Sequence, residues 1–370
     1  MGGIEDEELY CQGCGAKIQT EDPDKAGYTP KSSLNNEEVL CRRCFRLKHY
    51  NEIQDVDMDE SDFLDMVSSI QEKDGLVVHI IDIFDVNGSL IHGLTRIVGN
   101  HPIILVGNKV DLLPKSTNKQ KLKQWLRTTV NDYGIKVKDV FLVSSVKGDG
   151  IDELADALDM YRNNKDVYVV GATNVGKSTF INRLIKDSTG IKDVITTSYF
   201  PGTTLGFIKI ALDENSYMVD TPGIVNKQQM AHYVSAKDLK IIHPKKEIKQ
   251  RVYQLHSGQT LFFGGLARLD FVKGEKQSFI CYFSNELPIH RTKLANADAL
   301  YAKHVGEMLT PPDKQTLKNY PKLIKHAFRI NGEKTDIVFP GLGWVSVLGN
   351  VTVEAYSPEG SNAVIRKSLI

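Results

Sequence analysis

The segment Gly171-Ala172-Thr173-Asn174-Val175-Gly176-Lys177-Ser178 combines residue types that bind phosphate groups. It follows an apolar run over 167–170 and precedes a helical pattern over 177–186, which is the context this motif requires. Its glycines let backbone amides wrap a phosphate chain, and the amino terminus of the helix adds its positive dipole end. Lys177 is expected to neutralise the β- and γ-phosphate oxygens, and Ser178 to ligate Mg²⁺. We therefore expect nucleotide contacts from Gly171, Thr173, Asn174, Val175, Gly176, Lys177, Ser178 and Thr179.

Asp220-Thr221-Pro222-Gly223 closes a short apolar run and is typical of a switch that responds to the γ-phosphate. We expect Asp220 to hold Mg²⁺ through water and the Gly223 amide to sense the γ-phosphate. Thr204 is expected to supply a second hydroxyl to Mg²⁺, with Thr203 as the alternative because spacing does not separate them. An ordinary polar loop is the competing interpretation. The predicted catalytic groups are Lys177, Thr204 and Gly223.

Asn108-Lys109-Val110-Asp111 follows the apolar run 103–106 and has the pattern of a guanine-binding motif. The Asp111 carboxylate can accept hydrogen bonds from guanine N1–H and the N2 amine, and adenine lacks this pair of donors. Asn108 can contact the purine and join the surrounding loops, while the stem of Lys109 can cover the ring. Ser144-Ser145-Val146 follows the next apolar run and can offer a backbone amide to guanine O6. The sequence thus predicts GTP and GDP as ligands.

The order of these motifs is rearranged along the chain. The guanine motif at Asn108 precedes the phosphate loop at Gly171, whereas a standard GTPase has its phosphate loop first. The motif set is complete, so the order indicates a circular permutation. Because Asp220 comes last, any carboxy-terminal module follows directly after the segment that responds to the γ-phosphate.

Four of the five cysteines form two Cys-x-x-Cys pairs, Cys11/Cys14 and Cys41/Cys44, separated by 26 residues. Two such pairs can close a tetrahedral zinc site, and Gly13 and Gly15 ease the first turn. Disulfides are the competing interpretation, and a cytoplasmic chain disfavours them. We predict Zn²⁺ bound by all four sulfurs.

The segment Cys41–Tyr50 mixes cationic and aromatic side chains within an otherwise acidic region. Such a strip can meet phosphates and stack on bases, or it can be a solvated helix face with Phe45 and Leu47 buried. His49 is either a metal ligand or a surface residue, and four cysteines already satisfy zinc.

Apolar runs over 75–82, 103–106, 140–143 and 167–170 alternate with helical patterns near 88–99, 117–132, 151–162 and 177–186. The alternation predicts a mainly parallel sheet covered by helices, with an antiparallel edge pair at 207–212 and 217–219. Nucleotide is expected at the carboxyl ends of the strands. Further along, strands are predicted over 261–270, 277–283, 336–339, 343–348 and 351–356, with a helix over 296–309.

The net charge of zero conceals a strong asymmetry along the 370 residues. Residues 1–70 carry −9, residues 71–229 carry +1, and residues 230–370 carry +8. We therefore expect a multidomain protein: a zinc module (1–60), a permuted α/β P-loop GTPase (61–228) and a basic α+β domain (229–370) that binds RNA. A protein-binding role for the last domain is the alternative. No apolar run is long enough to span a membrane, and the acidic start is unlike a signal peptide, so a cytoplasmic location is expected.

With its cysteine pairs, motif order and long carboxy-terminal extension, the chain resembles the circularly permuted ribosome-biogenesis GTPases of the YqeH type. The resemblance implies GTP hydrolysis linked to assembly of the small (30S) ribosomal subunit through ribosomal RNA. Alternatives are a GTPase coupled to RNA modification and a signalling GTPase with protein partners only. Ile224 stands where a Ras-like GTPase has its water-positioning Gln, so slow intrinsic turnover is expected. Asn174 matches the asparagine that helps hold K⁺ in potassium-activated GTPases, which implies potassium stimulation.

Overall fold

The computed structural model of the chain describes residues 9–36, 38–50, 57–58, 60–187, 207–226 and 229–370. The chain divides into two compact units. The first unit comprises residues 1–83, 89–110 and 119–226, and the second comprises 84–88, 111–118 and 227–370. The cysteine pairs and the phosphate loop therefore belong to the same unit.

The helices of the described part are α1 (Arg42–Tyr50), α2 (Glu60–Ser68), α3 (Val86–Ser89), α4 (Leu94–Val98), α5 (Lys119–Asp132), α6 (Ile151–Arg162), α7 (Lys177–Asp187), α8 (Ala236–Ile242), α9 (Leu294–His304) and α10 (Lys314–Leu317). Short 3₁₀ helices occur at Lys31–Ser33, Ser69–Glu72, Val110–Leu112 and Met230–Tyr233.

The strands of the first unit are β1 (Asp57–Met58), β2 (Gly75–Asp82), β3 (Ile103–Asn108), β4 (Asp139–Leu142), β5 (Asp166–Gly171), β6 (Ile208–Ala211), β7 (Tyr217–Asp220) and β8 (Gly223–Ile224). Those of the second unit are β9 (Arg251–Leu255), β10 (Gln259–Phe263), β11 (Ala267–Lys273), β12 (Gln277–Phe283), β13 (Ile289–Lys293), β14 (Leu323–Asn331), β15 (Thr335–Phe339), β16 (Gly343–Val347), β17 (Asn350–Pro358) and β18 (Val364–Lys367).

A six-stranded sheet of order β4-β3-β2-β5-β7-β6 forms the centre of the first unit. All its neighbouring strands are parallel except β6, which runs antiparallel to β7. The central strands are runs of Val, Ile and Leu because helices α5, α6 and α7 pack against the sheet and exclude water. The predicted mainly parallel sheet with its antiparallel edge is confirmed.

The connection between α6 and β5 is only three residues long, 163–165. Asn163 and Asn164 both adopt the left-handed conformation, with φ of 49° and 60°. Asparagine tolerates this conformation better than most residues, so the pair ends the helix sharply and turns the chain into the next strand.

The predicted helix over 88–99 is interrupted. Helix α3 ends at Ser89 and α4 begins at Leu94, because Gly93 between them has a φ of +70° that a right-handed helix does not admit. His79 lies fully buried within β2, in agreement with its place inside an apolar run.

The second unit contains two five-stranded antiparallel sheets, ordered β13-β10-β11-β17-β14 and β18-β15-β16-β12-β9. Their shared core is rich in aromatic side chains, and the rings of Phe263 and Phe283 stack at 4.3 Å. Cys281 is buried in this core as a small apolar group.

Two predicted elements of the second unit were wrong in extent. The run 261–270 is not one strand, because the chain turns between β10 and β11 at Gly264, which has a φ of +56°. A Cβ atom at Gly264 would lie 2.5 Å from the Pro311 carbonyl oxygen, so the turn requires glycine. The helix predicted over 296–309 is α9, which begins at Leu294 and ends at His304.

Candidate functional site

The four cysteines of the two predicted pairs lie together, with all sulfur atoms within 4.8 Å of one another. The Sγ atoms of Cys14 and Cys41 are 3.7 Å apart. A tetrahedral zinc site with Zn–S bonds of ~2.3 Å requires sulfur separations of about 3.8 Å. The thiols of Cys14, Cys41 and Cys44 lower the pKa of the Cys11 thiol by hydrogen bonding to it. The sulfur geometry therefore fits Zn²⁺, and all four cysteines are free thiols rather than disulfides.

Glycine holds the first cysteine turn open. A Cβ atom at Gly13 would lie 2.8 Å from the Cys44 sulfur, so a side chain there would displace a candidate ligand. Gly15 has a φ of +71°, and its amide donates to the Cys11 carbonyl at 2.8 Å. The Gly15 hydrogen bond closes the turn between Cys11 and Cys14, and Gly13 leaves room for the Cys44 sulfur.

Helix α1 continues from the second cysteine pair and presents two different faces. Leu47 is fully buried, whereas Phe45 and Tyr50 are 45% and 62% exposed. The alternative in which both Phe45 and Leu47 are buried is therefore wrong for Phe45. His49 is exposed, with its ring 4.4 Å from that of Phe45, and does not belong to the cysteine cluster.

The phosphate loop joins β5 to α7, as the motif requires. Asn174 and Gly176 adopt positive φ angles of 62° and 84°, which curl the backbone into a loop. A Cβ atom at Gly176 would lie 2.6 Å from Nδ2 of Asn108, so only glycine fits this close approach. Ser178 is buried at the second position of α7, and Thr179 is exposed at the third.

Asn108 joins three of the predicted loops. Its Nδ2 donates to the Val175 carbonyl at 2.9 Å, within the phosphate loop. Its Oδ1 accepts from both the amide and the hydroxyl of Ser145, at 3.1 and 2.8 Å. The expectation that Asn108 ties the neighbouring loops together is met by this geometry, because one buried amide bonds to both of them.

Lys109 lies in the left-handed conformation, with a φ of +65°, at the end of β3. Its Nζ contacts Oδ2 of Asp82 at 2.7 Å and the carbonyl of Asn174 at 2.5 Å. The lysine therefore reaches from the guanine motif to the phosphate loop, and Asp82 at the end of β2 orients it.

The remaining guanine-motif residues take different positions. Ser144 is fully buried and its hydroxyl accepts from the Lys147 amide at 3.1 Å, while the Val146 side chain is 73% exposed. Asp111 lies in the 3₁₀ helix Val110–Leu112 and belongs to the second unit. Thr203 and Thr204 lie outside the described residues.

The Asp220–Gly223 segment packs against the phosphate loop. The carbonyl of Ile224 accepts from the Thr173 amide at 2.9 Å, and the Thr221 hydroxyl donates to the Val169 carbonyl at 2.9 Å. Gly223–Ile224 forms strand β8, which pairs in parallel with β1. Strand β1 follows the two cysteine pairs in the sequence, within the predicted zinc module (residues 1–60, here called the cysteine module). It thus pairs with the strand that begins at Gly223, the proposed γ-phosphate sensor.

Asp220 is fully buried between two cations of the first unit. Its Oδ1 accepts from Lys177 Nζ at 2.8 Å, and its Oδ2 pairs with the guanidinium of Arg43. Burial opposes the charge on Arg43, but the carboxylate of Asp220 and the sulfurs of Cys14 and Cys44 outweigh it and raise the pKa of Arg43. Arg43 was not predicted from the sequence, where its only local signal is a cation placed between two cysteines of the cluster.

In the described part of the chain, no helix has the length and apolar character needed to cross a membrane. This agrees with the absence of long apolar runs in the sequence.

Family models match two parts of the chain. A model described as "50S ribosome-binding GTPase" matches residues 166–257, and a model described as "YqeH-like, C-terminal" matches residues 276–369. The first covers the phosphate loop and the Asp220–Gly223 segment, and the second covers most of the antiparallel sheets.

Similar proteins match over nearly the full length. "Uncharacterized protein YqeH" of Bacillus subtilis (strain 168) is 59% identical over 365 residues, covering 98% of this chain and 100% of that protein. "NO-associated protein 1, chloroplastic/mitochondrial" of Arabidopsis thaliana is 32% identical and covers 91% of this chain and 69% of the relative. "Nitric oxide-associated protein 1" of Homo sapiens is 26% identical and covers 98% of this chain and 75% of the relative.

Proposed function

Because this chain belongs to the YqeH-like family of circularly permuted GTPases, we propose that it is a GTP-driven switch in assembly of the small ribosomal subunit. The observation that carries the proposal is the set of hydrogen bonds that Asn108 makes with two neighbouring loops. This one side chain bonds to the phosphate loop through Val175 and to the base-binding loop through Ser145. These contacts support a single nucleotide site that is built from both loops.

We assign guanine selectivity to Asp111, whose carboxylate would accept from both N1–H and the N2 amine of the base. Adenine would leave this acceptor without its two donors, and such a mismatch costs ~1–3 kcal/mol or more. Asn108 and the backbone amides of Ser145 and Val146 would contact the O6 side, and the Lys109 stem would cover the ring. Calorimetry with Asp111→Asn tests this assignment: loss of the preference for guanine nucleotides over adenine nucleotides is expected, and an unchanged preference contradicts it.

We assign phosphate and magnesium binding to the loop at Gly171–Ser178 and to Asp220. Lys177 would bind the β- and γ-phosphates, while Ser178, Asp220 and Thr204 would hold Mg²⁺, with Thr203 as the alternative to Thr204. Mg²⁺ supplies charge neutralisation of the phosphates when it is bound. The Gly223 amide would sense the γ-phosphate, and its strand β8 would carry the displacement.

Slow intrinsic hydrolysis follows from Ile224, because an alkyl side chain does not orient water. We propose that K⁺, held beside the phosphates by Asn174, adds the positive charge that an arginine finger supplies elsewhere. The exposed, left-handed Asn174 at the turn of the phosphate loop supports this role.

The potassium proposal is tested by steady-state GTP turnover in K⁺ and in Na⁺. Turnover is expected to be faster in K⁺, and Asn174→Ala is expected to remove the difference. Asn131→Ala, at an exposed position of α5, is the matched control. Equal turnover of the parent protein in the two cations contradicts the proposal.

We propose three functional modules: zinc-binding residues 1–60, GTPase residues 61–228 and a basic RNA-binding domain of residues 229–370. Two surfaces support an anionic partner. Strand β14 exposes Lys325 and Arg329 at a sheet edge, within a segment of net charge +8. Helix α1 exposes Phe45 and Tyr50, with the Arg46 guanidinium 5.5 Å from the Tyr50 ring centre. Cations that meet phosphates and rings that stack on bases are typical of RNA binding.

Cosedimentation with purified ribosomal subunits tests the partner. Binding to 30S subunits is expected to be stronger with a GTP analogue than with GDP and to weaken as salt is raised. The same assay with 50S subunits is the control, since the family model over residues 166–257 is described by that subunit. Binding to 50S alone contradicts the small-subunit proposal. A protein that cosediments with neither subunit at any salt concentration favours a signalling GTPase. Modification of RNA during GTP turnover favours an RNA-modification role.

A further inference from the structure

Both carboxylate oxygens of Asp220 are engaged by cations of the first unit. Lys177 Nζ contacts Oδ1 at 2.8 Å, and the Arg43 guanidinium pairs with Oδ2. The side chains of Asp220, Lys177 and Arg43 are 0%, 1% and 4% exposed. Water therefore screens these charges weakly, and each cation has a strong influence on what else binds to the carboxylate.

The cysteine cluster fixes the position of Arg43. The arginine stands in the first turn of α1, between Cys41 and Cys44, and the thiols of these two residues lie in the four-sulfur cluster. The turn is further held by the Arg42 amide, which donates to the Tyr28 carbonyl at 2.6 Å. A metal bound to the sulfurs would hold the arginine backbone in place, and the side chain, which is 4% exposed, has little room to move away from Asp220.

The same module also contacts the other end of the Asp220–Gly223 segment. Asp57 and Met58 of β1 lie opposite Gly223 and Ile224 of β8 in a parallel ladder. The cysteine module therefore contacts the Asp220–Gly223 segment twice. Arg43 forms an ion pair with Asp220, and the backbone of β1 pairs with that of β8.

We propose that Arg43 is a resident cation that competes with Mg²⁺ for Asp220. This inference rests on the proposed role of Asp220 in Mg²⁺ binding. Lys177 can leave Asp220 for the phosphates when nucleotide binds, but Arg43 is anchored to the cysteine module and remains beside the carboxylate. A guanidinium and Mg²⁺ next to one carboxylate repel each other, which lowers the affinity for Mg²⁺ with GDP. The additional negative charge of a γ-phosphate offsets this repulsion, so Arg43 favours release of GDP over release of GTP.

A purely structural role for Arg43 predicts a different pattern. If the arginine only attaches the cysteine module to the rest of the unit, its loss weakens folding or nucleotide binding and leaves the Mg²⁺ requirement unchanged or higher. Competition instead predicts that loss of Arg43 lowers the Mg²⁺ requirement. Asp220 keeps its contact with Lys177 in such a variant, so no buried carboxylate is left without a cation.

The test measures binding and release of a fluorescent GDP analogue by the full-length, zinc-loaded protein across a titration of MgCl₂. Arg43→Ala is expected to lower the Mg²⁺ midpoint by about 10- to 100-fold, the equivalent of one charge-assisted hydrogen bond, and to slow release of the analogue. Arg43→Lys, which keeps the charge, is expected to lie between Ala and the parent. Arg42→Ala is the matched control, because Arg42 is the exposed neighbour on the same helix.

An unchanged or raised Mg²⁺ midpoint in Arg43→Ala overturns the inference. Zinc content is measured for each variant, and if Arg43→Ala loses zinc or fails to fold, Arg43→Gln decides by the same criterion. Asp220→Asn distinguishes a failure of the Mg²⁺ assignment to Asp220 from a failure of the role proposed for Arg43. If it leaves the Mg²⁺ midpoint at the parent value, the assignment of Asp220 to Mg²⁺ fails. If it raises the midpoint while Arg43→Ala does not lower it, only the role of Arg43 fails.

Discussion

Each unit buries a carboxylate that is paired with at least one cation, but the two clusters are built differently. In the first unit, Asp220 meets Lys177 and Arg43. In the second, Asp270 accepts from Arg268 through Nε at 2.7 Å and Nη2 at 2.6 Å, and from the Thr260 hydroxyl at 2.6 Å. Both carboxylates are fully buried, so the difference lies in where their partners come from.

The partners of Asp270 are its neighbours in one sheet. Arg268 lies two positions away on β11, and Thr260 stands directly opposite on β10. The sheet fixes this geometry, and no ligand is needed to complete it. The partners of Asp220 come from two other elements, 43 and 177 positions away in sequence. We infer that a buried cluster built within one sheet stabilises the fold, whereas a cluster assembled from elements far apart in sequence is suited to rearrange when a ligand arrives.

Loss of Arg268 is expected to give the largest effect on stability. Arg268→Ala leaves a buried carboxylate without its bidentate partner, which costs ~3–5 kcal/mol of unfolding free energy. Urea unfolding followed by Trp fluorescence measures it, because Trp344 is buried in the second unit. The double variant Arg268→Met with Asp270→Leu is the control and is expected to be close to the parent in stability. A cost below ~1 kcal/mol for Arg268→Ala would remove the distinction between the clusters.

Loss of Lys177 is expected to affect turnover rather than folding. Lys177→Ala removes the cation proposed to bind the β- and γ-phosphates, and GTP turnover is expected to fall by ~10²–10³-fold. The unfolding free energy is expected to change less than in Arg268→Ala, since Asp220 retains Arg43. Steady-state phosphate release and urea unfolding are measured on the same preparation. A stability loss equal to that of Arg268→Ala would show that both clusters are structural.

His79 is also a buried titratable group, and it lacks a carboxylate partner among the contacts described. Burial lowers the pKa of His79 to about 3, below its value of about 6.5 in an unfolded chain. The unfolded chain therefore takes up the proton first. The contribution of His79 to the free energy of unfolding is therefore retained above pH 6.5. It falls by up to ~1.4 kcal/mol per pH unit as the pH drops from 6.5 towards 3.

His79→Leu is expected to reduce this pH slope without removing the part that carboxylates contribute. Unfolding free energies at pH 7, 6 and 5 measure the effect. His256→Leu, at an exposed position of the second unit, serves as the control for loss of a histidine. Identical slopes in the parent and in His79→Leu would contradict the assignment of acid sensitivity to this residue.

The smallest expected effect comes from Thr260. Thr260→Val removes one hydrogen bond to Asp270 and keeps both contacts from Arg268, so a loss of ~1 kcal/mol is expected. Thermal or urea unfolding measures it against the parent, with nucleotide affinity unchanged. A loss as large as that of Arg268→Ala would mean that the hydroxyl, rather than the guanidinium, holds the carboxylate.

Contacts close in sequence were predictable. The phosphate loop and its helix follow from contiguous residues with fixed spacing, and the four-cysteine cluster follows from two short pairs. The edge strands β9, β13, β14 and β18 were missed because most of their residues are partly or fully exposed and many are polar, so no apolar run marks them in the sequence. The pairing of Arg43 with Asp220 was out of reach for a different reason: no local pattern relates residues 177 positions apart.

The three-residue connection between α6 and β5 separates, along the chain, the residues proposed to read the base from those proposed to hold the phosphates. Everything proposed to read the purine is encoded before residues 163–165, and everything proposed to hold the phosphate chain is encoded after them. During synthesis, the residues proposed to discriminate guanine therefore emerge before those proposed to bind the phosphates. Affinity for nucleotide is expected only late in translation, when β5 has emerged and paired with β2.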